Sequence, residues 1–163
     1  MTQEEILNSG IIKDHVGNTG ILTWHKTAFL CSRNIHGDAI LRCHDWAVRM
    51  RDEGRCVISG FHSLIEKDVL RYLLRGHQPL IIILARGMKK RIEPELKKPL
   101  DVGRLLILSP FDREVKRVTA ETAMIRNKVM IDIADHIVVG HLNPDGNISN
   151  LFKSVNKEIE FLR

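Results

Sequence analysis

Cysteine is scarce in this chain, and the three present, Cys31, Cys43 and Cys56, are odd in number and lie in apolar surroundings. They show no C-x-x-C or Cys/His ligand spacing, so neither a disulfide framework nor a zinc site is indicated. Three reduced, mostly buried thiols are expected, with no metal. No run approaches the roughly 18 apolar residues that a membrane-spanning helix needs. The opening "MTQEEILNSGIIKDHVGN" lacks the basic, apolar and small-residue order of a signal peptide, which makes a cytoplasmic protein the expectation. A P-loop, G-x-G-x-x-G, H-E-x-x-H and a G-x-S-x-G elbow are all absent. No internal repeat or low-complexity tract occurs. The sequence therefore points to no catalytic residue and no cofactor.

What is present suits one compact domain. The 163 residues are 44% hydrophobic, a size and composition that can bury a substantial core. A net charge of +5 favours an acidic partner, be it nucleic acid, a nucleotide or an anionic metabolite.

From Ala28 onward, short apolar runs alternate with longer stretches of helical spacing. The runs cover residues 28–32, 55–59, 79–85, 104–109 and 136–140. Continuous hydrophobicity of that kind suits strands covered on both faces, as in a parallel sheet. Residues 38–54 place Ile40, Leu41, His44, Ala47, Val48 and Arg51 near one helical stripe that stops at Gly54. A second helix carries Ile65, Val69, Tyr72 and Leu73 and ends at Gly76, and residues 118–135 and 147–162 read as two more. The expected fold is thus α/β, a Rossmann-like, doubly wound and mainly parallel sheet of five or more strands with helices on both faces. Residues 1–27 read as a leading arm with a short helix or strand, and 28–163 as the single domain. Residues 86–103, with six Lys/Arg against three acids, read as a basic loop with a short helix.

In such sheets ligands bind beyond the carboxyl ends of the strands. Candidate residues therefore follow each run: "SRN" (32–34), "SGFHS" (59–63), "ARG" (85–87), "SPFD" (109–112) and "GHLNPDG" (140–146). Within the second, Ser63 and Glu66 fit an S-x-x-E capping box, so a helix starts close to Gly60. Gly60 can take positive φ and admit a ligand to the backbone, where free N–H groups and the helix dipole would hold an anion. A plain strand-to-helix turn would need the same glycine. Arg33 and Arg86 follow strand ends and could converge there, since a planar guanidinium suits phosphate oxygens. Arg126, Asn127 and Lys128 could join them or lie on a solvated helix face. His62 is either a ligand partner or a polar cap. His136 and His141 read as ordinary strand-end positions.

The ordered set "FLCSRN", "CVISGFHSLIEKDVLRYLLRGHQPLIIILARG", "GRLLILSPFD" and "TAETAMIRNKVMIDIADHIVVGH" resembles the Rossmann-like domain of the DNA-processing protein A family. The likeness runs from about Ala28 to about His141. It implies single-stranded DNA binding in a basic pocket, a homodimer, and a role in DNA uptake and recombination. By motif, the family's G-S-R falls on Cys31, Ser32 and Arg33, its S-G turn on Ser59 and Gly60, and its R-N-R helix motif on Arg126, Asn127 and Lys128. The residues departing from the pattern are "SGFHSLIEKD", which remodels part of the pocket, and "NPDGNISN" in place of a Gly/Ser-rich loop. The implied ligand-binding set is Ser32, Arg33, Ser59, Gly60, His62, Ser63, Arg86, Arg126, Asn127 and Lys128, with Ser32 and Asn127 orienting the others. Phe61, Phe111 and Trp24 are the candidate stacking rings. The alternative is a sensor or binder of a nucleotide-derived ligand at the same sheet edge, or a nucleotide-processing hydrolase, although the P-G-G-x-G-T-x-x-E of hydrolytic relatives is absent. A domain that docks an acidic protein surface through residues 86–98 is a third reading.

Overall fold

Each of the five apolar runs forms a strand because its alternate side chains feed two separate cores. In a computed structural model, which describes residues 1–143 and 147–163, these strands are β2 (Lys26–Leu30), β3 (Cys56–Ser59), β4 (Leu80–Ile83), β5 (Leu105–Ser109) and β6 (His136–Val139). Ala28, Ile58, Ile81, Leu106 and Ile137 point into one core, whereas Phe29, Val57, Ile82, Ile107 and Val138 point into the other. Burial on both faces is why no in/out alternation is visible in the sequence.

The sheet has two further strands at its edges. β1 (Asp14–Gly17) pairs antiparallel with β5, and β7 (Ile159–Phe161) pairs parallel with β6, giving the order β1-β5-β4-β3-β2-β6-β7. All other pairings are parallel. Helices α2 (Asp38–Asp52), α3 (Leu64–Leu74) and α4 (Pro94–Asp101) cover one face; α1 (Gln3–Asn8) and α5 (Ala120–Ile133) cover the other. The expected doubly wound α/β sheet is therefore present. Residues 1–27, read as a leading arm, supply α1, β1, a 3-10 turn over Thr19–Thr23 and the start of β2, and bury Ile6, Ile12, Ile21 and Leu22 in the shared core.

Two expectations need correction. Residues 147–162 are not one helix but a 3-10 segment over Asn147–Ser154 followed by β7. Ile148, Leu151, Phe152 and Val155 do face the core, which produces the helical spacing. Lys157 then donates to the carbonyls of Ile131 and Asp132, both at 2.7 Å, and fastens the tail in line to pair with β6. The inward face of α2 is also rotated from the expected stripe: Ala39, Cys43, Trp46 and Ala47 are buried while Leu41 is 60% exposed. Trp46 stacks on Phe29 with ring centroids 4.9 Å apart, and that contact sets the helix rotation.

After β5 the chain returns across the sheet to β6, on the far side of β2. The winding direction thus reverses between β2 and β6, the position at which open α/β sheets hold their ligands. The two strand ends are joined there by Ser32 N–H to the His141 carbonyl, 2.9 Å, and by Asn143 N–H to Ser32 Oγ, 3.0 Å. The three cysteines are free and buried, as expected. Among the described residues, no helix is long and apolar enough to cross a membrane and no acidic, His and Cys cluster suits a metal ion.

Candidate functional site

Two clefts lie side by side at the carboxyl edge of the sheet, one of about 690 Å³ and one of about 570 Å³. The common wall between them is made by Arg126, His62 and Val118. Arg126 reaches this place from α5, a helix on the face opposite α3. It is only 6% exposed, donates through Nε to Asn127 Oδ1 at 2.8 Å and through Nη1 to the Ile83 carbonyl at 3.4 Å. Burial lowers its pKa from the usual guanidinium value, and the nearby Glu66 carboxylate opposes that shift. Arginine still stays charged under all ordinary conditions. A buried cation is costly unless partly compensated, and here Glu66, Asn127 and a strand-end carbonyl supply the compensation.

Gly60 is needed for a reason the sequence did not reveal. Its φ is not positive; the left-handed residue of this turn is Phe61, at φ 47°. A Cβ on Gly60 would collide with the guanidinium of Arg126, so the glycine makes room for the arginine and not for backbone strain. Phe61, held in a conformation uncommon for a large side chain, turns its ring down to become 5% exposed.

The N-terminus of α3 has the capping box expected of Ser63 and Glu66. Its consequence runs against an anion cradle at this place. Glu66 Oε1 accepts from the N–H groups of both His62, 3.0 Å, and Ser63, 3.1 Å, while Ser59 Oγ accepts from Phe61 N–H at 3.3 Å. The N–H groups of Phe61, His62 and Ser63 are thus engaged by the protein's own oxygens, one of them a carboxylate, while those of Leu64 and Ile65 have no acceptor among the described residues. Ser59 is itself fully buried and donates to the Phe29 carbonyl at 2.9 Å; it ties β3 to β2 and lines neither cleft.

A second helix end at this edge is capped without a carboxylate. α5 begins at a box made by Thr119 and Thr122, in which each side chain accepts from the other's N–H, at 3.1 and 2.8 Å. The N–H groups of Ala120 and Glu121 have no acceptor among the described residues, and Thr119 and Ala120 line the smaller cleft. "TAET" carries this signal in the sequence, but with Thr and not Glu at the third helical position it is a weaker form of the motif.

The expected site residues divide accordingly. The smaller cleft gathers Ser32, Arg33, His62, Ser63, Arg126 and Asn127. Ser32 Oγ accepts from Asn143 N–H, and Asn127 Oδ1 accepts from Arg126 Nε. Arg33 is exposed and has no ion-pair or hydrogen-bond partner among the described residues. Arg86 lies in the larger cleft with Gly60 and bonds the Gly87 carbonyl at 3.1 Å, so it does not converge with Arg33. Lys128 is exposed on α5 and lines neither cleft, the solvated-face alternative. The candidate stacking rings do not gather either: Phe61 lines the larger cleft, and Trp24 precedes β2 at the opposite edge of the sheet. Of the 140–146 candidate turn, residues 144–146 lie outside the described residues. His62 has its pKa lowered from the ordinary value, by burial first and then by the positive charges of Arg126 and Lys67, so it is neutral near neutral pH.

This arrangement can bind an anion, with two arginines and a helix dipole on one cavity. No family model matches the sequence, and no curated protein is significantly similar to it. Solved structures do share its shape. DNA processing protein A from Helicobacter pylori, described for its single-stranded DNA binding mode, superposes with a TM-score of 0.72 at 18% identity, over 93% of this chain and 74% of that one. The fold is that of DNA processing protein A. The Streptococcus pneumoniae protein of that name gives a TM-score of 0.71 at 14% identity over 90% of this chain, which spans 53% of that protein. A molybdenum cofactor carrier protein from Chlamydomonas reinhardtii is more distant, with a TM-score of 0.55 at 8% identity over 83% of this chain.

Proposed function

We propose that this chain binds single-stranded DNA through its smaller cleft, without catalysis. The observation that carries the reading is the pairing of an exposed Arg33, without a partner among the described residues, with the carboxylate-free cap of α5 on one cavity walled by Arg126. Phosphate oxygens would be taken by Arg33 and by the Ala120 and Glu121 N–H groups, with Arg126 supplying charge from below. The fold shared with a single-stranded DNA-binding protein supports the same reading. A homodimer acting in cytoplasmic DNA uptake or recombination belongs to it as well.

Anisotropy of a labelled oligothymidylate, titrated at several salt concentrations, tests this. Neutralised phosphates release counterions with a log–log slope of roughly −0.7 per contact. Arg33→Ala is expected to weaken binding by about tenfold or more, the scale of one charge-assisted hydrogen bond, and to flatten the slope by about one contact. Salt-independent binding, or an unchanged Arg33→Ala, would remove the proposal.

A second reading has its own support. No Phe, Tyr or Trp is among the described residues that line the smaller cleft, although base stacking on such rings is the usual device of single-strand binders. Its volume of about 570 Å³ is that of a small-ligand site, and the molybdenum cofactor carrier shares the fold. A nucleotide-derived small molecule is the ligand on this reading. Saturable binding of a mononucleotide, competitive with oligothymidylate and equally sensitive to Arg33→Ala, would favour it.

A further inference from the structure

The larger cleft shares only the wall of Arg126, His62 and Val118 with the smaller one, and its floor is apolar. Its floor is Phe61, Ile82, Leu84, Met88, Leu96 and Ile107, supplied by β3, β4, β5, α4 and their loops. Most of these side chains are almost wholly buried and fixed by the sheet. The loop after β4 is clamped to the loop after β5 by Ser109 Oγ donating to the Arg86 carbonyl, 2.6 Å, and by Gly87 N–H donating to the Val115 carbonyl, 2.7 Å. A Cβ on Gly87 would collide with the carbonyl of Asp112, so that glycine permits the close approach. The cleft is therefore built in advance.

Its rim is cationic. Arg71 and Lys89 have acidic partners in Asp68 and Glu93, but Lys67, Arg86, Arg91 and Lys116 have none among the described residues. Glu93 and Glu95 are the acids of the lining. No Ser, Thr, Asn or Gln side chain occurs among the described lining residues. A base or sugar needs such groups to satisfy its polar edges when buried, and a site that lacks them favours a ligand whose body has nothing to satisfy.

We propose that the larger cleft is a second ligand site, separate from the nucleic-acid cleft, which takes an amphipathic phosphate: a monoester whose apolar chain or ring lies on the floor while its dianion meets Lys67, Arg86, Arg91 and Lys116. The inference stands independently of the DNA reading, because it uses a different cavity and different side chains. Each methylene that enters such a floor contributes roughly a fourfold gain in affinity. Chain length is therefore the diagnostic variable.

Calorimetric titration of the full chain with octyl, decyl and dodecyl phosphate, kept below their micelle concentrations, tests the site. Affinity is expected to climb through the series, to exceed that of adenosine monophosphate, and to be lost with the neutral alcohols. Leu70→Asp, on the half-buried α3 wall, and Arg91→Ala, on the exposed rim, are each expected to weaken dodecyl phosphate by at least tenfold while leaving oligothymidylate binding unchanged. Arg91→Ala keeps the test decisive if Leu70→Asp fails to fold. Arg33→Ala, in the other cleft, is expected to have no effect on the alkyl phosphates. Affinity independent of chain length, adenosine monophosphate binding as tightly as decyl phosphate, or equal loss in Arg33→Ala would overturn the assignment. Binding to phosphatidic acid vesicles without binding of the monomeric alkyl phosphates would overturn it too, since the charge would then be reading a bilayer surface.

Discussion

Two helices present their N-termini to the same edge of this sheet, and they differ in what their capping residues leave behind. α3 is closed by a glutamate at its third position, whose carboxylate takes two backbone N–H groups and adds negative charge. α5 is closed by a threonine at the equivalent position, which takes one N–H and stays neutral; in both helices the N–H groups of the first two positions, Leu64 and Ile65 in α3 and Ala120 and Glu121 in α5, have no acceptor among the described residues. Both helices have the same dipole polarity, so the dipole does not distinguish them. The third-position side chain does. A capping box with Glu is a sign of a well-made helix and an argument against an anion site at that end.

The largest expected break in this contrast comes at Gly60, where Arg126 crosses between the two helix ends. Gly60→Val places branched carbons where the guanidinium lies, and overpacking of that kind costs about 1–3 kcal/mol. The arginine must also leave its bonds to Asn127 and the Ile83 carbonyl. Oligothymidylate binding is expected to fall below detection, with a lowered melting temperature; anisotropy and thermal denaturation read the two effects. Normal affinity in Gly60→Val would mean that Arg126 does not serve the cleft.

A smaller effect is expected when α3 is made to resemble α5. Glu66→Gln keeps an oxygen for the two N–H groups but turns charge-assisted bonds into neutral ones, at a cost of about 1 kcal/mol in unfolding free energy. It also removes the buried carboxylate beside Arg126, so anion affinity is expected to rise by about threefold or more. Glu66→Ala would free both donors and cost about 1–2 kcal/mol of cap energy, while raising affinity at least as far. If neither variant binds more tightly than the parent, the closed state of the α3 terminus does not matter to the ligand.

Most of the fold could be read from the residues because burial on both faces leaves a plain record. Ile81, Ile82 and Ile83 are buried in alternate cores, and only a strand inside a covered sheet needs all three. The faces of helices were less legible: Leu41 fitted the expected stripe of α2, yet Trp46, which stacks on Phe29, decides the rotation through a contact 17 residues distant in sequence. The tail misled because Ile148, Leu151 and Phe152 keep helical spacing within a short 3-10 segment, and Lys157 then diverts the chain into a strand. At the site, Arg33, Arg126 and Asn127 followed from motif order. That Gly60 serves Arg126, that Glu66 takes the N–H groups of His62 and Ser63, and that Arg86 belongs to another cleft are facts of side-chain direction. Spacing along the chain does not encode them.

The smallest expected effect concerns His62, which stands on the wall between the clefts. In the free protein its pKa is lowered by burial and by Arg126 and Lys67, with Arg33 adding to the repulsion and Glu66 opposing it. A bound phosphate would offset those positive charges and favour the protonated ring, so binding takes up a proton. By linkage, anion affinity then rises as pH falls through the region below the ordinary histidine value of about 6.5. Folding responds in the opposite direction: the lowered pKa means that the unfolded chain binds the proton more readily, so His62 lowers stability as pH falls through the same range. Tighter binding by a few-fold between about pH 7 and about pH 5.5 is expected, together with a slightly reduced melting temperature. Because the residue lines both clefts beside Arg126, His62→Asn should flatten the pH dependence without moving the neutral-pH affinity by more than about twofold. A pH profile that persists in His62→Asn would assign the proton to another group and detach His62 from the ligand.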